Sequence, residues 1–128
     1  MLSIDEYTIL ADEAALELPE GLFDELNGGI NVVADEKLHK ESRPNAPLYI
    51  MGTYHHEPQG LGRYIVLYYG SFIKVYPNVA FENARTIIRD ILYHELTHHI
   101  ESLAGDYSLE IEDAKNISEY RNQRSPKE

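Results

Sequence analysis

Residues 83–104 read NARTIIRDILYHELTHHIESLA, and this stretch decides the fold. Over 22 residues it has no Pro or Gly, and its apolar residues recur at helical spacing, which predicts one long helix. Within it stands His94-Glu95-Leu96-Thr97-His98, an HExxH motif. Side chains four apart on a helix differ by ~6 Å of rise and ~40° of rotation. Two imidazoles so placed converge on one metal ion. Glu95 follows His94 by ~100° and stands to one side, where a carboxylate can take a proton from a metal-activated water. On a helical wheel Ile87, Ile91, His94 and His98 share a narrow arc, with Ala84, Ile88 and Glu95 beside it. The histidines are therefore expected to continue the core-facing stripe, where a metal would satisfy both rings. Two core histidines bonded to backbone or Tyr are the other reading.

Zinc wants a third protein ligand. Glu101 lies ~10 Å along the axis from His94, too far to share the ion easily, and is read as a solvated or rim residue. Beyond an expected break at Gly105, residues 108–121 form a second helix turning back across the first. There Glu110 and Asp113 project with Ala114 and Ile117, so either can bind metal while the other orients a histidine. An acidic helix N-terminus favoured by its dipole is the alternative for each of them.

Ahead of this region, residues 30–34 are a short apolar run, residues 48–54 have the length of a strand, and residues 63–69 and 71–76 are rich in aromatic and β-branched residues; all four are read as strands. Residues 35–47 and 55–62 are read as loops, with Gly52 as a bulge or a close approach. The pair His55-His56 is read as a surface pair in the second loop, with metal binding or a place in the cleft as the alternative. His99 is read as a core or supporting residue. At the start, Ser3 and Glu6 form a capping-box pair ahead of Tyr7, Leu10, Ala11, Ala14, Ala15 and Leu18 at helical spacing. Pro19 ends that helix, and a short second one precedes Gly28-Gly29. Segregated strands and helices predict an α+β fold, a small mixed sheet packed against the long motif helix with further helices at both ends of the chain.

The 128 residues are expected to form one domain, with about residues 122–128 as a tail. The absence of cysteine excludes disulfides and thiol chemistry. With 22 acidic and 11 basic residues the formal charge is −11, which opposes phosphate backbones and anionic lipid, so no nucleic acid and no membrane are expected as partners. An acidic N-terminal stretch and apolar runs too short to span a bilayer predict a cytoplasmic protein.

HExxH followed by His99, an apolar residue and an acidic cluster resembles the small zincin-like metallopeptidase family, the mini-zincins. Leu18-Pro19-Glu20, Ile30-Asn31-Val32-Val33, Asp35-Glu36 and the 63–69 strand are similar to that family as well, so the resemblance covers most of the chain. It implies a compact zincin core, one zinc per chain held by His94, His98 and a carboxylate, and peptidase chemistry. Many members resemble HExxHHxGxxD. Here Glu101 stands at the glycine and Ala104 at the acid, so an insertion postpones the acidic segment to residues 110–113. By similarity residues 111–113 favour Asp113, whereas the gluzincin pattern favours Glu110.

The expected function is zinc-dependent hydrolysis of a peptide or unfolded protein, with Glu95 as general base. A non-catalytic metal-binding or protein-interaction domain on the same scaffold is the alternative. Tyr64, Tyr68, Tyr69 and Tyr76 are candidate oxyanion donors. Residues 63–69 or 71–76 are the expected edge strand for an extended substrate.

Overall fold

A computed structural model describes residues 1–108. The expected second C-terminal helix, the tail at 122–128, Glu110 and Asp113 lie outside the described residues.

The chain enters helix α1 (Ile4–Leu16) through the capping box. The Ser3 amide donates to Glu6 Oε1 (2.8 Å), and the Glu6 amide donates to Ser3 Oγ (3.1 Å). Two otherwise orphaned donors are thereby satisfied where the apolar face of Tyr7, Leu10, Ala11 and Ala14 turns inward. A 3₁₀ turn at Glu20–Phe23 follows Pro19 and leads to strand β1 (Gly29–Val33). Strand β2 (Gly52–Glu57) and strand β3 (Gly62–Tyr68) come next, then helix α2 (Tyr69–Val75) and helix α3 (Phe81–Ser108). The described residues thus form a small α+β protein with three α-helices and a three-stranded mixed sheet.

The sheet order is β1-β3-β2, with β3 central, parallel to β1 and antiparallel to β2. Along β3, Ile65 and Leu67 are fully buried and face the helices, while Tyr64, Val66 and Tyr68 turn the other way, half-buried. α1 and α3 pack together over the inner face, where Tyr7, Phe72, Ile88, Leu92 and Leu96 complete the core.

Three expectations are corrected. Residues 71–76 are not a strand, because α2 spans Tyr69–Val75. Tyr69, Phe72, Ile73 and Tyr76 recur at i, i+3, i+4 and i+7, a helical stripe packed on the core, and this burial overrides their strand preference. Gly70 makes the turn into α2 possible, since a Cβ there would meet backbone atoms of residues 34–36 at 2.6–2.7 Å. The strand expected at 48–54 begins only at Gly52 and runs to Glu57, so His55 and His56 lie in a strand and not in a loop. Residues 48–50 bond elsewhere: the His39 amide donates to the Leu48 carbonyl and the Ile50 amide to the Lys37 carbonyl, both at 2.8 Å. Lastly, α3 begins at Phe81 and passes through Gly105 without a break. No helix among the described residues is long and apolar enough to cross a membrane.

Candidate metal centre

The rotational setting of α3 is fixed by Ala84, Ile88, Leu92, Leu96 and His99, all fully buried. At ~100° per residue, Glu95 lies ~40° from the centre of that stripe, His98 ~100° and His94 ~140°. This corrects the expectation that both motif histidines continue the core face. His94 is exposed and His98 half-buried, on the flank of the helix, while Glu95 is only 1% exposed.

On that flank the two imidazoles converge. Their Nε2 atoms are 3.2 Å apart, with ring centroids at 4.7 Å and planes at 86°. Two nitrogens each ~2.1 Å from one tetrahedral zinc stand ~3.4 Å apart, so the pair fits a single ion with little adjustment. Glu101 Oε1 lies 3.2 Å from Nδ1 of His98. A carboxylate only accepts, so Nδ1 carries the proton and Nε2 presents its lone pair towards His94. Glu101, read as a solvated or rim residue, thus orients a histidine. Among the described residues no three His, Asp or Glu side chains close a complete metal set.

Behind the motif, His99 Nε2 donates to the Asp24 carbonyl (2.7 Å), and Nδ1 accepts from the Tyr54 hydroxyl (2.8 Å). Arg63 in turn donates to the Tyr54 oxygen (3.2 Å) and to Ser102. His99 is therefore a core residue, as expected. It ties α3 to β2 and to the chain before β1, and Arg63 adds the link to β3.

A cleft of about 560 Å³ opens beside His94 and Glu95. Ile87, Asp90 and Ile91 of α3 form one side, residues 48–52 the other, and Tyr76 and His39 complete the lining. Gly52 is the expected close approach, since a Cβ there would lie 3.2 Å from Glu95 Cγ. Of the four candidate tyrosines only Tyr76 lines this cleft. Tyr64 bonds Glu57, Tyr68 bonds Thr53 (3.1 Å), and Tyr69 bonds the Leu2 carbonyl. Tyr49 and His39 line the cleft without having been singled out in the sequence. Their position depends on the 37–39 to 48–50 pairing, which leaves no local signal.

His55 lies away from the site. It sits on the sheet face opposite Tyr54, hydrogen-bonded to Thr53 (2.7 Å) and stacked on Tyr64 at 4.8 Å. Burial lowers its pKa. The expected substrate-pairing strands are also corrected: β3 is central and has no edge to offer, and 71–76 is helical. The edge strand packed beside α3 is β2.

No family model matches the chain, and no curated protein is similar to it. Among solved structures, a conserved hypothetical protein from Thermo thermophilus superposes with a TM-score of 0.68 at 28% identity, over 81% of this chain and 99% of that one. The likeness carries the α+β architecture across nearly the whole of that protein, and its description names no activity.

Proposed function

We propose that this protein is a zinc-dependent metallopeptidase with a minimal zincin-like fold. The observation that carries the reading is the 3.2 Å approach of His94 and His98 Nε2 on the helix flank, one residue from a buried Glu95 and at the head of a cleft. His94 and His98 would hold the ion, with Asp113 or Glu110 as the third ligand. When bound, zinc lowers the pKa of a water to ~7 and polarises the scissile carbonyl.

The chain's own residues supply the rest. Glu101 keeps the His98 proton on Nδ1. Glu95 accepts a proton from the attacking water and returns it to the leaving amine. Its burial limits competing solvent contact and strengthens its field at the reacting atoms. Tyr76 and Tyr49, on the cleft walls, are the candidate donors to the developing oxyanion. The edge of β2 offers main-chain hydrogen bonds to an extended peptide or unfolded segment.

The test is elemental analysis of untagged protein, paired with hydrolysis of a peptide library. Near one zinc per chain, lost in His94→Ala, together with cleavage abolished in a Glu95→Gln protein that keeps its zinc, is the expected result. Zinc binding with no turnover, and no difference between wild type and Glu95→Gln, would instead make the protein a metal-binding or interaction domain. A protein that takes up no zinc ends the peptidase reading.

A further inference from the structure

Cleft and motif share one helix, and the cleft walls are mostly apolar. Ile87 and Ile91 precede His94 by seven and three residues, so they follow the same flank of α3 away from the metal pair. Across the cleft stand Ile50 and Met51, with Tyr76 beside them. At about 560 Å³ the space matches the ~300–1,000 Å³ typical of small-ligand sites, enough for one large side chain and part of its neighbour. The acidic groups lining it are Asp90 and Glu95. Glu95 is buried at the inner end against Gly52, whereas the Asp90 side chain is 71% exposed. Arg89 Nε approaches Asp90 to 3.7 Å, but the same guanidinium is shared with Glu17 at 3.9 Å. The chain as a whole carries a formal net charge of −11.

We propose, building on the peptidase reading, that this cleft selects substrates with a bulky apolar side chain, Phe or Leu, next to the scissile bond and a cationic residue beside it, facing Asp90. An apolar side chain gains by leaving water along Ile87, Ile91, Ile50 and Met51. An Asp or Glu in its place would lose its hydration with no Lys or Arg among the described residues lining the cleft. The neighbouring Lys or Arg finds Asp90 at the mouth. Such an exposed pair adds little affinity and sets preference mainly through encounter and repulsion.

The test uses zinc-loaded Glu95→Gln protein, so that binding is read without turnover. Fluorescein-labelled blocked peptides carrying Phe-Lys, Leu-Lys, Phe-Glu, Gly-Lys or Asp-Lys at their centre are titrated by anisotropy. The Phe-Lys and Leu-Lys peptides should bind at least tenfold tighter than Gly-Lys and Asp-Lys, and Asp90→Lys should reverse the Lys-over-Glu preference at the second position. Amide shifts on binding should centre on Ile87, Ile91 and Met51. Equal affinity for the Phe-Lys and Asp-Lys peptides, or a binding footprint elsewhere, overturns the proposal. The two readings fail separately: selective binding in the cleft with no cleavage by zinc-loaded wild type refutes the peptidase alone, and cleavage indifferent to the apolar residue refutes the selectivity alone.

Discussion

The hydroxyl of Tyr54, on β2, donates to Nδ1 of the fully buried His99 at 2.8 Å, one residue beyond the motif on α3. Because the Asp24 carbonyl can only accept, the His99 proton resides on Nε2 and Nδ1 must be the acceptor. The Tyr54 oxygen in turn accepts from Arg63. One phenol thus satisfies a buried imidazole and part of a buried guanidinium. Tyr54→Phe removes the group common to both while leaving the ring in place. It should cost about 2 kcal/mol, roughly 8 °C in Tm, because buried partners lose a hydrogen bond with no water to replace it. Zinc stoichiometry should not change, since His94 and His98 face away from this network. A melting temperature equal to that of wild type in calorimetry would show that the network does not hold the helix.

Burial lowers the pKa of both His99 and His55. For each, the folded state resists a proton that the unfolded chain accepts near pH ~6.5. The stabilisation is therefore complete above that value and is lost as the pH falls through it towards the lower folded-state pKa. Urea midpoints of metal-free protein should decline from about pH 8 to about pH 5.5, and His55→Gln should flatten part of that decline. A midpoint independent of pH over this interval would contradict the shifts.

Much of this arrangement was legible in the residues. The capping box at Ser3, the strands near 30–34 and 63–69 and the long motif helix each follow from local chemistry and periodicity. The rotational phase of α3 was not. Its arcs through Ala84, Ile88 and Leu92 and through Ile87 and Ile91 are both apolar, because one meets the core and the other lines the cleft. A wheel cannot separate two apolar arcs that serve different neighbours. His99 marks the core arc only because Tyr54 and Asp24, 45 and 75 residues earlier in the chain, supply its hydrogen-bond partners there. The strand at Gly52–Glu57 was obscured for a similar reason: its register depends on β3, while residues 48–50 pair with 37–39.

Glu101 stands one turn beyond His98 with its carboxylate 3.2 Å from Nδ1, and is about half exposed. Removing it takes away the carboxylate that holds the proton on Nδ1, so the proton can shift between the two ring nitrogens. Glu101→Ala should weaken zinc binding by about 10- to 100-fold, the usual cost of losing a carboxylate behind a ligating histidine. The metal-free protein should melt within ~1 °C of wild type, since an exposed pair of this kind contributes little to folding. Competition against a chromophoric chelator measures the effect. Unchanged zinc affinity would mean that His98 is oriented by packing alone.

Gly52 connects the edge strand to the Glu95 carboxylate. A Cβ at this position would lie 3.2 Å from Glu95 Cγ and 3.3 Å from both Leu67 Cδ2 and the Val66 carbonyl oxygen. The Val66 carbonyl is backbone of the central strand, and Leu67 is fully buried. Glu95 is as buried as Leu67, but of the three neighbours its side chain alone lines the cleft, and that is where the displacement is expected. Gly52→Ala should displace that carboxylate by a few tenths of an ångström. Since ~1 Å of misplacement can cost ~100-fold in rate, the proposed peptidase activity should fall about tenfold in kcat, with KM and zinc content unchanged from the unsubstituted protein. Gly52→Val, with two further methyl groups, should lose more rate and also stability. If Gly52→Ala kept full kcat but lowered Tm, the strain would have been taken up by β3 instead, and Glu95 would not depend on Gly52 for its position.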